Sequence, residues 1–437
     1  LNKKDRKPLI IRGARQVGKT WLVRELAKKC KKQVIEINFE KNLGYKDFFS
    51  SNNPYDMISI IEVAMNVSID PSDAILFLDE VQVVPEILSK LRWFAEEMPH
   101  LPVIATGSLL DFVLNDHKFS MPVGRISYLY LEPFSFEEFL EVTDNDKLLD
   151  YIHAYEFGQN VPDILHQQLL DLLKYYRVIG GMPAVLGNWV DNRSLLEVNQ
   201  IQHDLLTTYI EDFAKYPTRI MKDLLNDVMK AVPNLLGKKC KYSLINADVK
   251  SDALKNAIDL LGQARLVHKI IFTDANSVPL AAQTNNRYFK LILNDIGLAM
   301  ASMGGVASDN IIHTQLSNEG GLSEQFVGQQ IRTLDPFHID PKLFYWTNPK
   351  YGSEAEVDYV IQYQHHIVPV EVKSGSSGHL RSLHSMMSKK NHQVALRFNA
   401  DVPSVTNIQE YNYTLVSLPQ YMVGQTYRLL ESVFYAI

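Results

Sequence analysis

The stretch Gly13-Ala14-Arg15-Gln16-Val17-Gly18-Lys19-Thr20 decides the fold of this chain. It fits the pattern G-x-x-x-x-G-K-[ST], follows the apolar residues 8–11 and precedes a helical pattern over residues 21–27. Glycines let such a loop wrap closely, and the helix N-terminus then presents N–H groups to phosphate oxygens. We predict a nucleotide phosphate-binding loop in which Lys19 neutralises the β- and γ-phosphates and Thr20 ligates Mg²⁺. An ordinary glycine turn before a helix is the alternative.

A second apolar run supplies the carboxylates that nucleotide hydrolysis needs. Residues 74–78, Ala-Ile-Leu-Phe-Leu, lead directly into Asp79 and Glu80. We predict that Asp79 supports the metal ion and that Glu80 polarises the attacking water as a general base. Unpaired carboxylates at the end of a buried strand cost desolvation energy, which disfavours the alternative of a purely structural pair.

Two further positions extend the predicted site. The apolar residues 102–105 lead into Thr106-Gly107-Ser108, where Ser108 or Thr106 is predicted to sense the γ-phosphate, with an ordinary polar strand end as the alternative. Arg125 follows Gly124, and arginine is suited to neutralising the charge of a phosphoryl-transfer transition state, in cis or from a neighbouring subunit. A surface arginine is the alternative for Arg125.

Composition limits the class of protein. The 437 residues predict two to four domains. With 44 Lys and Arg against 50 Asp and Glu, the net charge of −6 excludes a global basic field for nucleic acid. The two cysteines, Cys30 and Cys240, match no metal-ligand spacing and favour a reducing cytoplasm. We expect no membrane span. The chain starts at Leu1 rather than Met, so we expect further residues before it.

Charge varies along the middle of the chain. Residues 132–171 carry ten acidic residues against a single lysine, which predicts an acidic helical appendage with either a solvated or a partner-binding face. Residues 201–290 have a local net charge of +4. Within them a helical pattern over 249–261 is followed by a strand-like run over 265–271, a turn, and a second run near Val278. This order is typical of a winged helix, for which DNA and protein contact both remain open.

The tail predicts a second metal site. Three strand-like runs lie in the mixed α/β region after residue 340, and Asp358 and Glu371 are 13 residues apart across a probable hairpin. Glu371 and Lys373 face the same side of one strand, and Glu324 lies on the preceding helical pattern. Carboxylates on adjacent strands with a nearby lysine are typical of a Mg²⁺-dependent nuclease core. A structural ion pair between Glu371 and Lys373 is the competing interpretation.

These motifs together resemble the AAA-superfamily ATPases of bacteria and archaea that carry a C-terminal domain of unknown function. The segment Leu-Glu-Pro-Phe-Ser-Phe-Glu-Glu-Phe at 131–139, the run Gly180-Gly181-Met182-Pro183 and the tail motifs at 354–358 and 369–373 extend the resemblance over nearly the whole chain. It implies ATP binding and hydrolysis by a P-loop domain with an additional strand, then a winged helix and a PD-(D/E)XK nuclease-like fold. Only 12 residues precede Gly13, fewer than is usual in the family.

We therefore predict an α/β protein in four segments. These are an AAA-like P-loop ATPase domain at 1–130, an acidic helical appendage or lid at 131–200, a winged-helix-like module at 201–300 and a PD-(D/E)XK nuclease-like domain at 301–437. The predicted function is an ATP-hydrolysing switch that uses Mg²⁺ and acts on DNA, through residues 201–290 and the C-terminal domain, or on a protein partner. An ATP-regulated DNA nuclease and a non-catalytic DNA-associated regulatory or defence protein are the alternatives. Homo-oligomerisation remains open.

Overall fold

The computed structural model of the chain describes residues 6–107, 122, 124–213, 219–304, 318–348, 355–376 and 378–436. The chain forms two compact units. The N-terminal unit comprises Leu1–Glu132, Gln263–Arg265 and Pro336–Asp340, and the C-terminal unit comprises Pro133–Gly262, Leu266–Asp335 and Pro341–Ile437.

The N-terminal unit contains a five-stranded parallel sheet. Its strands are β1 (Leu9–Gly13), β2 (Gln33–Asn38), β3 (Ala74–Asp79), β4 (Val103–Thr106) and β5 (Ser127–Leu131). Their order is β2-β3-β4-β1-β5, so β4 is an additional strand between β1 and β3. The helices within the described residues of this unit are α1 (Lys19–Lys29), α2 (Pro54–Met65) and α3 (Ile87–Glu97). The predicted α/β P-loop fold is confirmed, whereas β5 was not predicted.

Hydrophobic cores lie on both faces of this sheet. Leu76 and Leu78 of β3 pack into one core, whereas Ile75 and Phe77 pack into the other. Successive strand residues point to opposite faces, so a strand buried on both sides is apolar throughout. The continuous apolar run before Asp79 therefore places that carboxylate at the carboxyl end of a central strand.

The C-terminal unit begins with helices. Many are short, and several carry the acidic residues of 132–171. The described helices are α4 (Phe136–Val142), α5 (Asp146–Ala154), α6 (Asp163–Ile179), α7 (Pro183–Asn192), α8 (Leu195–Asp212), α9 (Arg219–Ala231), α10 (Ser251–Gln263), α11 (Ile296–Ser302), α12 (Glu319–Ile331), α13 (Arg381–Lys390) and α14 (Thr426–Ala436).

A mixed eight-stranded sheet completes this unit. Its strands are β6 (Val267–Thr273), β7 (Thr284–Leu293), β8 (Leu343–Thr347), β9 (Glu356–Tyr363), β10 (His366–Val372), β11 (Val394–Asn399), β12 (Ser404–Ile408) and β13 (Tyr413–Pro419). They follow the order β12-β13-β11-β10-β9-β8-β6-β7. The β9–β10 hairpin lies where the sequence predicts it, with Tyr363 opposite His366.

The structure differs from the four predicted segments at residues 201–300. The hairpin of β6 and β7 belongs to the same sheet as the tail, because β6 also pairs in parallel with β8 and sets Ile270 opposite Leu343. The second strand of the hairpin begins at Thr284 rather than near Val278. A local pattern reports each strand but not its distant partner, so the hairpin was assigned to a module of its own.

Within the described part of the chain, no helix has the length and apolar character needed to cross a membrane.

Candidate functional site

The loop between β1 and α1 has the backbone of a tight phosphate cradle. Gln16 and Gly18 have positive φ angles of 62° and 100°. A Cβ on Gly13 would lie 2.6 Å from the carbonyl oxygen of Leu131 and 2.9 Å from Val17 Cγ1. Glycine is therefore required at position 13 by close packing and is favoured at position 18 by conformation.

The Lys19 side chain is buried and hydrogen-bonded at the start of α1. Its Nζ donates to the carbonyl oxygens of Gly13 (3.0 Å) and Ala14 (2.8 Å), and the residue is only 7% exposed. Burial lowers the pKa of Lys19 from 10.5 to about 8, although the charges of Glu80 and Asp79 oppose the shift. The first helical hydrogen bond from the loop is Leu22 N to Gly18 O (2.9 Å), so the preceding amides at the helix N-terminus are oriented to face an anion.

Asp79 is the centre of a hydrogen-bonded group at the carboxyl end of the sheet. Its Oδ2 accepts from Thr20 Oγ1 and from Asn38 Nδ2, each at 3.2 Å. Its Oδ1 accepts from Thr106 Oγ1 and from Glu80 N (3.1 Å). Four donors on different segments therefore fix a carboxylate that is 4% exposed.

Glu80 stands beside Asp79 in a strained conformation. Its φ of 55° and ψ of 44° lie in the left-handed region, which is uncommon for a residue with a side chain. Gln82 Nε2 donates to Glu80 Oε2 at 2.5 Å, and Gln82 itself packs against Gly107. Strain of this kind persists where the surroundings enforce it, and functional sites are enriched in it.

The sequence patterns did not identify Asn38 and Gln82 as residues of the candidate site. Asn38 ends β2, the neighbour of β3, and sits opposite Asp79 in the strand register. A polar residue at the end of an apolar strand next to the predicted metal strand was the available signal for Asn38. Gln82 follows Glu80 by two residues, but nothing in the sequence indicated which way its amide points.

Three other predicted residues have different outcomes. Ser108 lies outside the described residues. Thr106 is fully buried and donates to Asp79, so it anchors that carboxylate. The Arg125 side chain is 52% exposed and its Nε donates to Glu96 Oε1 on α3 (2.8 Å), where Arg92 also pairs. The structure therefore gives Arg125 an ion pair with Glu96 in this conformation.

The residues at the loop fit a magnesium ion bound with a nucleotide. Mg²⁺ in nucleotide sites takes one or two protein oxygens and completes its shell with phosphates and waters. The Thr20 hydroxyl and the Asp79 carboxylate, 3.2 Å apart, are oxygen donors of this kind. Over the described ranges, no group of three or more His, Cys, Asp or Glu side chains is arranged to hold a metal ion by itself.

The four residues of the predicted second metal site lie close together in the C-terminal unit. They are Glu324, Asp358, Glu371 and Lys373. Lys373 Nζ lies 2.6 Å from Glu371 Oε1, and Asp358 Oδ2 accepts from Val372 N at 2.8 Å. Glu324 of α12 pairs with Lys290 (2.9 Å), a residue that the sequence did not single out. The proximity of these groups confirms no metal site by itself, because each carboxylate already has a cation or an amide beside it.

Burial and crowding alter the acidity of these carboxyls. Burial, with the charge of Asp358 added, raises the pKa of Glu371 to about 8. Burial and the same neighbour raise the pKa of Glu324 to about 7, against the attraction of Lys290. Glu371 Oε2 is buried and accepts no hydrogen bond from the described residues.

Comparison with protein families assigns most of the chain. Residues 5–140 match the family model described as "AAA domain". Residues 170–309 match "Domain of unknown function (DUF8612)" and residues 319–421 match "Domain of unknown function (DUF4143)". No curated protein matches the chain. The resemblance to AAA-type ATPases with a C-terminal domain of unknown function is confirmed.

Solved structures with similarity to the chain include three proteins. The Aeropyrum pernix ORC2 protein in ADPNP-ADP complexes is 15% identical, with a TM-score of 0.33 over 70% of this chain and 88% of that one. The Thermotoga maritima RuvB Holliday junction branch migration motor is 16% identical (TM-score 0.27; 60% and 82%). PCH-2 of C. elegans is 14% identical (TM-score 0.24; 48% and 56%). From its family match, sheet order and loop geometry, the N-terminal unit is an AAA-type P-loop domain.

Proposed function

We propose that this protein binds and hydrolyses ATP with Mg²⁺ at the β1–α1 loop. The observation that carries the proposal is the convergence of Lys19, Thr20, Asp79 and Glu80 at the carboxyl ends of β1 and β3. Loop residues 13–20 are expected to enclose the phosphates through their amides, and Lys19 to leave the Gly13 and Ala14 carbonyls for the β- and γ-phosphates.

The residues divide the chemistry between them. Thr20 and Asp79 would hold the magnesium ion, which supplies charge neutralisation at the phosphates. Asn38 and Thr106 keep the Asp79 carboxylate fixed. Glu80 is positioned by Gln82 to accept a proton from the attacking water. We propose that Arg125 contributes charge only after it leaves Glu96, and that Ser108 contacts the γ-phosphate.

Lys19→Ala is the direct test of this site. We expect the Kd for ATP to rise about 10- to 100-fold, because a charge-assisted hydrogen bond contributes about 1.5 to 3 kcal/mol. Binding is measured by calorimetry with Mg²⁺ and ATP, and phosphate release by a coupled assay. Unchanged affinity and turnover in Lys19→Ala would exclude the loop as the ATP site.

The pH dependence of ATP binding provides a control on Lys19 itself. Its pKa of about 8 in the free protein means that the ammonium loses its proton as pH rises through 8. A bound phosphate favours the charged form, so ATP binding takes up a proton above that pH and affinity falls. Lys19→Arg stays charged, so its affinity should not show this decline.

We propose further that the nucleotide state of the N-terminal unit controls contact with DNA, with a protein partner as the second choice. Exposed lysines of 201–290 support a DNA surface; they are Lys230, Lys238, Lys241, Lys250 and Lys255. Other lysines of that segment form ion pairs with carboxylates. Lys239 pairs with Glu356 (3.1 Å), and Lys269 pairs with Asp259. The contact surface is therefore smaller than the local charge suggests.

Arg265 supports a route by which the nucleotide state of the N-terminal unit could affect the C-terminal unit. The segment Gln263–Arg265 belongs to the N-terminal unit, whereas Gly262 and Leu266, on either side of that segment, belong to the C-terminal unit. The Arg265 guanidinium pairs with Glu132 (2.5 Å) and Asp340 (2.9 Å). After burial and the charge of Arg15, the charge of Arg265 is the smallest of the influences that lower the pKa of Lys19. A change of charge at the loop should therefore act on Arg265 and on the α10 and β6 segments continuous with it.

A single binding experiment tests DNA contact and coupling. We expect affinity for duplex DNA, measured by fluorescence anisotropy, to fall at least about tenfold between 50 and 200 mM salt. A non-hydrolysable ATP analogue should change that affinity in the wild type and in Arg265→Lys, but not in Arg265→Gln. No measurable affinity at low salt would exclude DNA as the partner, and equal responses in all three proteins would exclude Arg265 as the route.

A further inference from the structure

A fully buried ammonium lies within the carboxylate group of the C-terminal unit. Lys290 of β7 is 0% exposed, and its Nζ lies 2.9 Å from Glu324 Oε2, 2.8 Å from Glu356 Oε1 and 3.7 Å from Asp358 Oδ1. The ring of Tyr345 stands 5.5 Å from the same Nζ. One lysine therefore has three carboxylates and an aromatic face around it.

These contacts place an ammonium beside each of the carboxylates that a metal ion would need, although Glu371 Oε2 itself has no hydrogen-bond partner among the described residues. Mg²⁺ requires about six oxygen ligands at about 2.0–2.1 Å in octahedral geometry. Glu324 and Asp358, two of the predicted ligands, already face the ammonium, and a divalent ion on the same oxygens would be repelled by it. The third predicted ligand, Glu371, is paired with Lys373 at 2.6 Å. The residues present do not fit a bound divalent metal.

The carboxylates and the ammonium depend on each other. An isolated charge in a protein interior costs several kcal/mol, and the cost is offset only when an opposite charge and hydrogen bonds accompany it. Lys239 adds a second cation at Glu356, 3.1 Å away, but its side chain is 40% exposed. Lys290 is thus the buried cation on which Glu324, Glu356 and Asp358 converge.

We propose that Lys290 is the resident cation of this site and takes the place of a divalent metal, so that the C-terminal unit holds its carboxylates together without a metal ion. The unit then needs no Mg²⁺ for its stability. Metal-dependent phosphodiester cleavage at Asp358 and Glu371 is not expected while Lys290 stays in place.

Thermal unfolding of the full chain in the absence of nucleotide tests this proposal. Wild-type protein should melt at the same temperature in EDTA and in MnCl₂, to within about 1 °C. Lys290→Ala should melt lower in EDTA and recover by about 3 °C or more in MnCl₂, since binding to the folded state alone stabilises it. Lys239→Ala is the matched control, with a small loss and no response to Mn²⁺.

Two results would overturn the proposal. One is a Mn²⁺-dependent rise in the wild type that disappears in Asp358→Asn. The other is a Lys290→Ala protein that folds but does not respond to Mn²⁺. If Lys290→Ala fails to fold, the test is Mn²⁺ binding to the wild type and to Asp358→Asn, measured from the electron paramagnetic resonance signal of the free ion. Equal binding supports the assignment of Lys290 as the resident cation. Binding that is lost in Asp358→Asn contradicts that assignment.

Discussion

Glu80→Gln is expected to lower kcat for ATP hydrolysis by about 10²- to 10⁴-fold, the usual contribution of a general base, while ATP affinity stays unchanged. Glutamine keeps the size of the side chain and an oxygen that can accept from Gln82 Nε2, so the strained backbone at position 80 is retained. It cannot take the proton of the attacking water. The expected phenotype is therefore a protein that fills with ATP and fails to turn it over.

The measurement combines phosphate release with ATP binding on the same preparation. Glu36→Gln is the matched control, because Glu36 belongs to the same unit but pairs with Arg24 at 2.6 Å on an exposed edge. Its kcat should equal that of the wild type. Wild-type kcat in Glu80→Gln would assign the base to another residue, and weakened ATP binding there would show instead that Glu80 holds the nucleotide.

The candidate site depends on more local sequence signals than the architecture around it does. The loop motif and the Asp79-Glu80 pair are local signals, because each depends on a strand end or a helix start that a short stretch encodes. Asn38 was missed because its role arises only when β2 pairs with β3 in a register that sets it opposite Asp79. The same physical limit applies to Arg265, which reaches Glu132 across 133 positions of sequence.

In the C-terminal unit the sequence predicted strands and residues but not their partners. The β9–β10 hairpin and the helix holding Glu324 follow from local patterns. Local patterns do not show that β6 pairs with β8 across about 70 residues of intervening chain. This pairing joins the hairpin of the predicted winged-helix module to the sheet of the tail. The sequence identifies Lys290 only as one of the basic residues of 201–290. No pattern in β7 indicates that its ammonium is buried among carboxylates.

Asp295→Ala is expected to destabilise the C-terminal unit by about 3 to 5 kcal/mol. Asp295 is fully buried and accepts hydrogen bonds from Gly181 N (2.6 Å), Leu298 N (3.0 Å) and Gln329 Nε2 (3.3 Å). Burial raises its pKa although these donors oppose the shift. Without the carboxylate, the buried amides of Gly181 and Leu298 lose their acceptor, whereas Gln329 Nε2 keeps Tyr176 Oη (3.1 Å). Each buried donor without an acceptor costs about 1 to 3 kcal/mol.

The loop after α6 explains why no other residue takes over this role. Gly180 has a φ of 77°, and a Cβ on Gly181 would collide with the carbonyl oxygen of Phe134. This backbone cannot shift toward a new acceptor without losing that packing. Urea unfolding followed by tryptophan fluorescence, to which the buried Trp189 and Trp346 of this unit contribute, measures the effect. Asp295→Asn keeps one acceptor oxygen and should lose less, whereas the exposed Asp274→Ala should stay within about 0.5 kcal/mol of the wild type. A wild-type midpoint for Asp295→Ala would mean that water satisfies these donors and that the Gly180–Gly181 turn is held by packing alone.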